Sequence, residues 1–140
     1  AELHATIRTF DPGVRETVRR RVQEICKGIE VAYGVTLDLE YRMGCPPTIN
    51  TPAEATSADR AISSILGSDA IVRDQKPVAG GEDFAEMLAV LPGAYIHVGS
   101  AKGADDPQLH HPAYDFNDEI LPIGASYFAA LVEDQLSAKR

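Results

Sequence analysis

The residues that decide the fold lie in the stretch AYIHVGSAKGADDPQLHHPAYDFND, which covers positions 94–118. Its first six residues are mostly apolar, as in a β-strand that is covered on both faces of its sheet. A loop rich in glycine and aspartate follows from Ser100 to Asp106, and a second irregular loop carries His110 and His111. Ligands of α/β folds gather in loops beyond the carboxyl ends of strands, so this order predicts an α/β fold with a site at the histidine loop.

Four helices and three further strands are predicted around this stretch. Apolar residues at helical spacing, bounded by capping residues, prolines or glycines, indicate the helices, and period-two alternation or a short apolar run indicates the strands. Thr51-Pro52-Ala53-Glu54 matches a capping box at the start of the second helix. The predicted helices cover residues 11–34, 51–67, 82–91 and the chain from 122, with Leu121, Phe128, Leu131 and Val132 facing inward; the predicted strands cover residues 3–9, 35–43, 70–72 and 94–99.

A stiff connection, CPPTIN, interrupts the periodicity at residues 45–50. Two prolines favour an extended backbone, so we place a domain boundary here, with residues 1–45 in one domain and residues 46–140 in another. One helix over two strands is a small core, and the first piece is expected to need partner strands from elsewhere. Residues 137–140 are expected to fray. Because a strand pattern starts at once with no Met at position 1, we expect a piece of a longer protein.

Composition excludes several classes of protein. Hydrophobic residues make up 44% and charged residues 24% of the chain, as in a globular domain. The net charge of −8 argues against nucleic acid as a partner and fits a soluble cytoplasmic protein. No apolar run approaches the roughly 20 residues that span a bilayer. Gly-x-Ser-x-Gly, P-loop and Cys-x-x-Cys motifs are missing, which disfavours a serine hydrolase, an NTPase and a zinc ribbon.

Two loops carry the candidate site residues. In the histidine loop, adjacent imidazoles point in different directions, so at most one of His110 and His111 is expected to bind a given metal; a surface pair that binds nothing is the alternative. Asp115 and Asp118 either orient that imidazole or cap the following turn.

The second loop, GGEDF, covers residues 80–84. The amides of Gly80 and Gly81 could bind an anionic substrate group, and Glu82 and Asp83 could bind metal or act as a general base; the alternative is that these carboxylates stabilise a helix start. Arg8 either binds a substrate carboxylate in a bidentate manner or is a solvated strand residue.

Five stretches of the chain resemble the dinuclear metallopeptidases of peptidase family M20, above all their amidohydrolase branch of hippurate hydrolases and N-acyl-amino-acid amidohydrolases. The stretches are LHHPAYDFND at 109–118, GGEDF at 80–84, ATIRTF at 5–10, YRMGCPPTIN at 41–50 and LPGAY at 91–95. The resemblance covers essentially all 140 residues, which correspond to the last third or so, the C-terminal portion, of a family member.

The resemblance implies an α/β catalytic domain of the zinc-peptidase type into which a smaller α+β lid, or dimerisation, domain is inserted. Residues 1–45 would then be the second half of the lid, and residues 46–140 the C-terminal part of the catalytic domain. A homodimer formed through the lid is also implied.

The resemblance further implies a hydrolase that uses two divalent metals (Zn, Mn, Co or Ni) to activate a water against the amide bond of an N-acyl amino acid such as hippurate. It makes His110 a metal ligand, places Gly81 and Glu82 at the substrate end of the cleft, and places Arg8 at the substrate carboxylate. The family's other ligands and its catalytic base lie upstream of these residues. We therefore assign no catalytic residue and expect this chain alone to be inactive. The alternative function is a non-catalytic dimerisation or binding module.

Overall fold

The computed structural model describes residues 1–136, and its regular secondary structure is helical. The helices are α1 (Pro12–Tyr33), α2 (Pro52–Leu66), α3 (Phe84–Leu88) and α4 (Leu121–Leu136), with 3₁₀ turns at Ser68–Ala70 and Asp118–Ile120. Each helix falls where the sequence predicts one, although α3 is shorter than expected. None of the helices within residues 1–136 combines the length and apolar character needed to cross a membrane. The fraying predicted for residues 137–140 lies outside the described part of the chain.

The predicted strands are wrong in this structure. Residues 3–9, 35–43, 70–72 and 94–99 adopt no strand, and no β-sheet forms anywhere in residues 1–136. A strand needs a neighbour that pairs with its backbone N–H and C=O groups, and the described residues supply no such ladder. The predicted α/β class is therefore corrected, for this part of the chain, to helices joined by irregular segments.

The chain divides into two compact units. Unit 1 comprises Ala1–Ile49 and Lys76–Leu91, and unit 2 comprises Asn50–Gln75 and the chain from Pro92 onward. The assignment of residues 1–45 to a lid and 46–140 to a catalytic domain stays a prediction.

In unit 1, α1 begins and ends where its sequence specifies. The Asp11 side chain accepts a hydrogen bond of 2.8 Å from the Val14 N–H, and Pro12 occupies the first turn, where it loses no helical hydrogen bond. Gly34 ends the helix in the left-handed conformation at φ 65°, and its N–H donates to the Glu30 carbonyl at 2.9 Å. These local signals explain why the predicted limits of α1 are confirmed.

The polar face of α1 is solvated and internally paired. Glu16 accepts from Arg19, while Glu24 accepts from both Arg20 and Arg21 at 2.6–2.7 Å. The hydrogen bonds from Arg20 and Arg21 hold the pKa of Glu24 below its usual value. No side chain of α1 is buried, so unit 1 covers little of the apolar face of this helix.

The core of unit 2 lies between α2 and α4. Ala58 and Ala61 of α2 face Tyr127 and Ala130 of α4, and all four are buried, with Ile62, Ile96 and Leu131 packed around them. Alanine side chains allow the two helix backbones to approach closely. Burial also raises the pKa of the Tyr127 hydroxyl.

The buried face of α4 differs from the predicted one. Phe128 is 65% exposed and Val132 is 55% exposed, although both were expected to face inward. Leu131 was also expected to face inward, and it does pack against the core, where with Tyr127 and Ala130 it lies at the one-turn spacing that meets α2. The apolar pattern of α4 is wide enough to permit either face, and the alanines of α2 select this one.

The start of α2 is tied to the chain around residue 94. Thr51 makes no side-chain cap, so the predicted capping box is wrong. Its hydroxyl instead accepts from the Gly93 N–H at 3.0 Å, and its own N–H donates to the Gly93 carbonyl at 2.9 Å. The Asn50 amide similarly accepts from the Tyr95 N–H at 2.8 Å and donates to the Tyr95 carbonyl at 2.9 Å. One side chain thus satisfies both backbone groups that a neighbouring strand would have bonded.

An ion pair extends the contact between α2 and α4. Arg60 donates two hydrogen bonds to the carboxylate of Asp134, at 2.8 and 3.1 Å. These bonds hold the pKa of Asp134 below its usual value. A lowered folded-state pKa gives stability that is present above the unfolded pKa and is lost as the pH falls through the folded pKa.

We therefore expect Asp134→Asn to destabilise the chain at pH 7 and to destabilise it less at pH 2, because protonation of the native carboxyl weakens the ion pair as the pH falls. Urea unfolding followed by circular dichroism at the two pH values measures the difference. Asp105→Asn, in an exposed loop, is the control and should have no effect at either pH. An equal loss of stability at pH 7 and pH 2 for Asp134→Asn would show that the ion pair is not the cause.

Candidate functional site

The histidine loop of unit 2 consists of two consecutive turns that share His111. The His111 N–H donates to the Gln108 carbonyl at 2.9 Å, and the Tyr114 N–H donates to the His111 carbonyl at 2.9 Å. Pro112 is the second residue of the later turn, a position that its fixed φ suits. The loop therefore has a defined backbone rather than an arbitrary path.

His110 has an unusual backbone conformation. Its φ is 71°, and among the described residues it is the one non-glycine with a positive φ. It is the third residue of the turn Gln108–His111, where a positive φ normally selects glycine or asparagine. For an L-residue the left-handed region costs roughly 1–2 kcal/mol, and such strain is concentrated at functional positions. The His110 side chain is exposed to solvent.

His111, in contrast, uses its side chain within the loop. Its Nδ1 accepts a hydrogen bond of 3.1 Å from the Ala113 N–H. The two neighbouring histidines are therefore distinguished by geometry, because one ring is engaged with the backbone and the other projects from a strained turn.

Two contacts fasten the histidine loop to the preceding glycine- and aspartate-rich loop. The hydroxyls of Ser100 and Tyr114 lie 3.4 Å apart, and the Lys102 ammonium lies 3.2 Å from the Asp115 carboxylate. The hydrogen bond to Asp115 raises the pKa of Lys102. Asp115 thus serves as a partner of Lys102, an interaction that sequence reasoning missed. The single basic residue in an acidic loop was the signal that pointed to it.

The turn after the histidine loop is capped by Asn117. Its side-chain oxygen accepts from the Glu119 N–H at 3.1 Å, and the residue is buried. Neither Asp115 nor Asp118 provides this cap, which was one of the two roles considered for them. An asparagine oxygen satisfies the first free N–H of the 3₁₀ turn in the same way that an aspartate would.

In the glycine loop of unit 1, Glu82 rather than Asp83 satisfies the start of α3. The Glu82 carboxylate accepts from the Phe84 N–H at 3.1 Å, whereas Asp83 makes no side-chain cap. Glu82 therefore has the helix-stabilising role that was the alternative to substrate binding. Its role in substrate binding stays a prediction.

Arg8 lies directly against Gly81. A Cβ placed on Gly81 would overlap Nη1 of Arg8 and would lie 3.4 Å from its Cζ, whereas a Cβ on Gly80 would meet nothing within 4 Å. Only a residue without a side chain leaves room for the guanidinium at this point. Two of the predicted substrate-binding residues, 73 positions apart in sequence, are thus brought together in unit 1.

The described residues do not fit a metal ion by themselves. No group of three or more His, Cys, Asp or Glu side chains within residues 1–136 could hold one. A protein metal site of the zinc type requires at least three such donors, and the predicted ligand His110 is a single imidazole.

The family of the chain follows from comparison with known proteins. The model of peptidase family M20/M25/M40 matches residues 4–134. The chain therefore belongs to this peptidase family.

Among its curated relatives, an N-acetylcysteine deacetylase of Bacillus subtilis is 30% identical over 94% of the chain, and a thermostable carboxypeptidase 1 of Saccharolobus solfataricus is 32% identical over 94%. A hippurate hydrolase of Campylobacter jejuni is 26% identical over 94% of the chain. The chain covers 33% of the length of each of these three proteins. The resemblance to amidohydrolases of this family is thereby confirmed.

The strained turn gives a direct test of the histidine loop. We expect His110→Gly to stabilise the chain by about 0.5 kcal/mol, because the relief of left-handed strain exceeds the entropy that glycine adds to the unfolded chain. Urea unfolding measures the change. Gln108→Gly, at a position whose φ is not positive, is the control and should destabilise the chain instead. If both glycines destabilise equally, His110 carries no backbone strain.

Proposed function

We propose that this chain is part of a metal-dependent amidohydrolase that cleaves the amide bond of N-acyl amino acids, with hippurate as the model substrate. The membership of the peptidase family and the deacetylase and hippurate hydrolase among its relatives support this class of reaction. The strained conformation of His110 is the observation that carries the proposal for this chain. A histidine occupies a position where glycine would adopt the same backbone conformation at a lower cost in free energy.

His110 is proposed to donate one imidazole nitrogen to a divalent metal in the full-length protein. Two metal ions, of Zn, Mn, Co or Ni, supply Lewis-acid chemistry when bound. One imidazole does not make a metal site, so the other ligands and the catalytic base belong to residues outside this chain. For the same reason the 140 residues alone are proposed to be inactive.

Arg8, Gly81 and Glu82 are proposed to bind the substrate in the full-length protein. The guanidinium of Arg8 offers paired N–H groups to a carboxylate, and the bare backbone at Gly81 leaves room for it. Glu82 holds the start of α3 next to this point. An N-acyl amino acid carries one free carboxylate, which is the group that this arrangement suits.

The exposed apolar side chains support the proposal that more polypeptide packs on both units. Within residues 1–136 no large side chain is fully buried, and Leu3, Phe128 and Leu136 are more than 60% exposed. A folded protein covers apolar surface of this extent. The proposal has three further parts. Residues 1–45 belong to a lid and residues 46–140 to an α/β catalytic domain. The protein forms a homodimer through that lid and has a cytoplasmic location.

A non-catalytic dimerisation or binding module is the second candidate. The lack of a metal-binding group in the described residues fits this function as well as it fits the first. In that case His110 has no ligand role, and full-length protein carries no tightly bound metal.

The metal content of the full-length protein decides between the two functions. We expect the purified full-length protein to retain Zn or Mn and to hydrolyse hippurate, and His110→Ala to lose most of both, because removal of a ligand opens the site. Metal analysis after dialysis and release of glycine from hippurate are the measurements.

Two controls make this test specific. His97→Ala should retain the metal, because that ring contacts the Tyr95 ring instead, with 5.3 Å between the ring centroids. The 140-residue chain should show no turnover with added Mn²⁺ or Zn²⁺. Metal-dependent turnover by the short chain, or full metal retention by His110→Ala, would contradict the proposal.

The contact between Arg8 and Gly81 gives a test of substrate binding. We expect Gly81→Ala in the full-length enzyme to raise KM for hippurate about tenfold, because the new Cβ displaces the guanidinium and a charge-assisted hydrogen bond is lost. Arg8→Met should have a similar effect, and the double variant should be no worse than either single variant, since both remove one interaction.

Gly80→Ala is the matched control, because a Cβ there would meet nothing within 4 Å. It should leave KM unchanged. Steady-state kinetics with hippurate and with its carboxamide analogue are the measurements. A loss of carboxylate binding raises KM for hippurate alone, whereas a general defect of the enzyme affects both substrates. Equal values of KM for Gly81→Ala and Gly80→Ala would contradict a role for Arg8.

A further inference from the structure

His111 occupies the first position of a turn in which side chains commonly bond to the backbone. In the turn His111–Tyr114, the His111 carbonyl accepts from Tyr114, and the His111 ring accepts from Ala113 two residues on. Asparagine, aspartate and serine are the usual residues at such a position, because their short side chains reach the N–H two residues ahead. Here an imidazole nitrogen takes the place of that oxygen.

The same hydrogen bond determines which atoms of the His111 ring remain for a metal. Nδ1 accepts through its lone pair, so in the neutral ring the proton sits on Nε2. Neither nitrogen then has a lone pair to donate to a cation. His111 is therefore unavailable as a ligand while the turn is closed.

The closed turn also fixes the residue before it. His110 lies between the Gln108 carbonyl, which accepts from His111, and the turn that the His111 ring closes. A strained backbone persists only where its surroundings hold it in place. The contacts of Lys102 with Asp115 and of Ser100 with Tyr114 hold the far side of the same loop.

We propose that His111 is a positioning residue, whose imidazole closes the turn that presents His110, and that it is not itself a metal ligand. This inference rests on the proposed function, because it concerns the orientation of His110, the proposed metal ligand. The hydrogen bond between His111 and Ala113 is the basis for giving the two neighbouring histidines different roles.

Rescue by short side chains that can accept the same hydrogen bond tests the inference in the full-length protein. His111→Ser and His111→Asn keep an acceptor for the Ala113 N–H, whereas His111→Leu and His111→Ala do not. We expect Ser and Asn to hold Zn²⁺ within about threefold of the native affinity, and Leu and Ala to lose about tenfold, the lower end of the effect of losing a group that orients a ligand.

Competition with a chelator at several concentrations gives the Zn²⁺ affinity without reference to turnover. Thermal unfolding of each variant shows that the protein is folded. In Co²⁺-loaded protein, the visible absorption bands should be the same for the native, Ser and Asn variants, because the set of ligands is unchanged.

The outcomes separate this inference from the proposed function. If Ser and Asn lose as much affinity as Leu and Ala, His111 is a ligand and the inference is overturned. If all four variants bind Zn²⁺ as the native protein does, His111 has no positioning role and the inference is also overturned. His110→Ala is the reference in either case: should it bind Zn²⁺ normally, the proposed function fails first, and the inference fails with it.

Discussion

Backbone groups outside the helices need hydrogen-bond partners, and this requirement shapes both units of the protein. In a sheet, the neighbouring strand provides them. Here side chains do so at a few points: Glu30 accepts from the Leu37 N–H, Arg15 donates to the Gly44 carbonyl, and Asn50 bonds both backbone groups of Tyr95. Each of these side chains belongs to a helix or directly precedes one. The helices therefore hold the irregular segments, and the packing of α2 against α4 is the firmest part of that frame.

The same requirement explains which elements could be predicted from the sequence. A helix bonds its own backbone, so local signals such as Asp11, Pro12 and Gly34 were enough to place both ends of α1. A strand depends on residues far along the chain. The alternation in residues 35–43 contains no information about a partner strand, and Val35, Leu37 and Leu39 are exposed. The helices were predicted well, and the strands failed, for this physical reason.

Packing between helices was harder to predict than the helices themselves. The apolar residues of α4 spread over more than one face, and the sequence of α4 alone does not say which face is covered. Ala58 and Ala61 make α2 narrow on one side, and Tyr127 and Ala130 meet that side while Phe128 stays exposed. Which face of α4 is buried thus depends on the shape of α2. The ion pair between Arg60 and Asp134 adds an electrostatic attraction between the same two helices.

The candidate site shows what residue types reveal and what they do not. Sequence reasoning singled out His110, Arg8 and Gly81 because imidazole, guanidinium and bare backbone are suited to metals and carboxylates. It could not foresee the contact of Arg8 with Gly81, because nothing local links them, nor the positive φ of His110, because histidine is a poor residue for such a turn.

That mismatch between residue and backbone is the strongest argument for function in this chain. Stability alone would favour glycine at position 110, since glycine adopts a positive φ without a steric penalty. A histidine there costs free energy that the fold does not recover through any hydrogen bond of the ring within residues 1–136. A neighbouring histidine that instead bonds the backbone shows that the loop can use an imidazole structurally when it needs one. This contrast supports the proposal that the His110 ring binds a metal in the full-length protein.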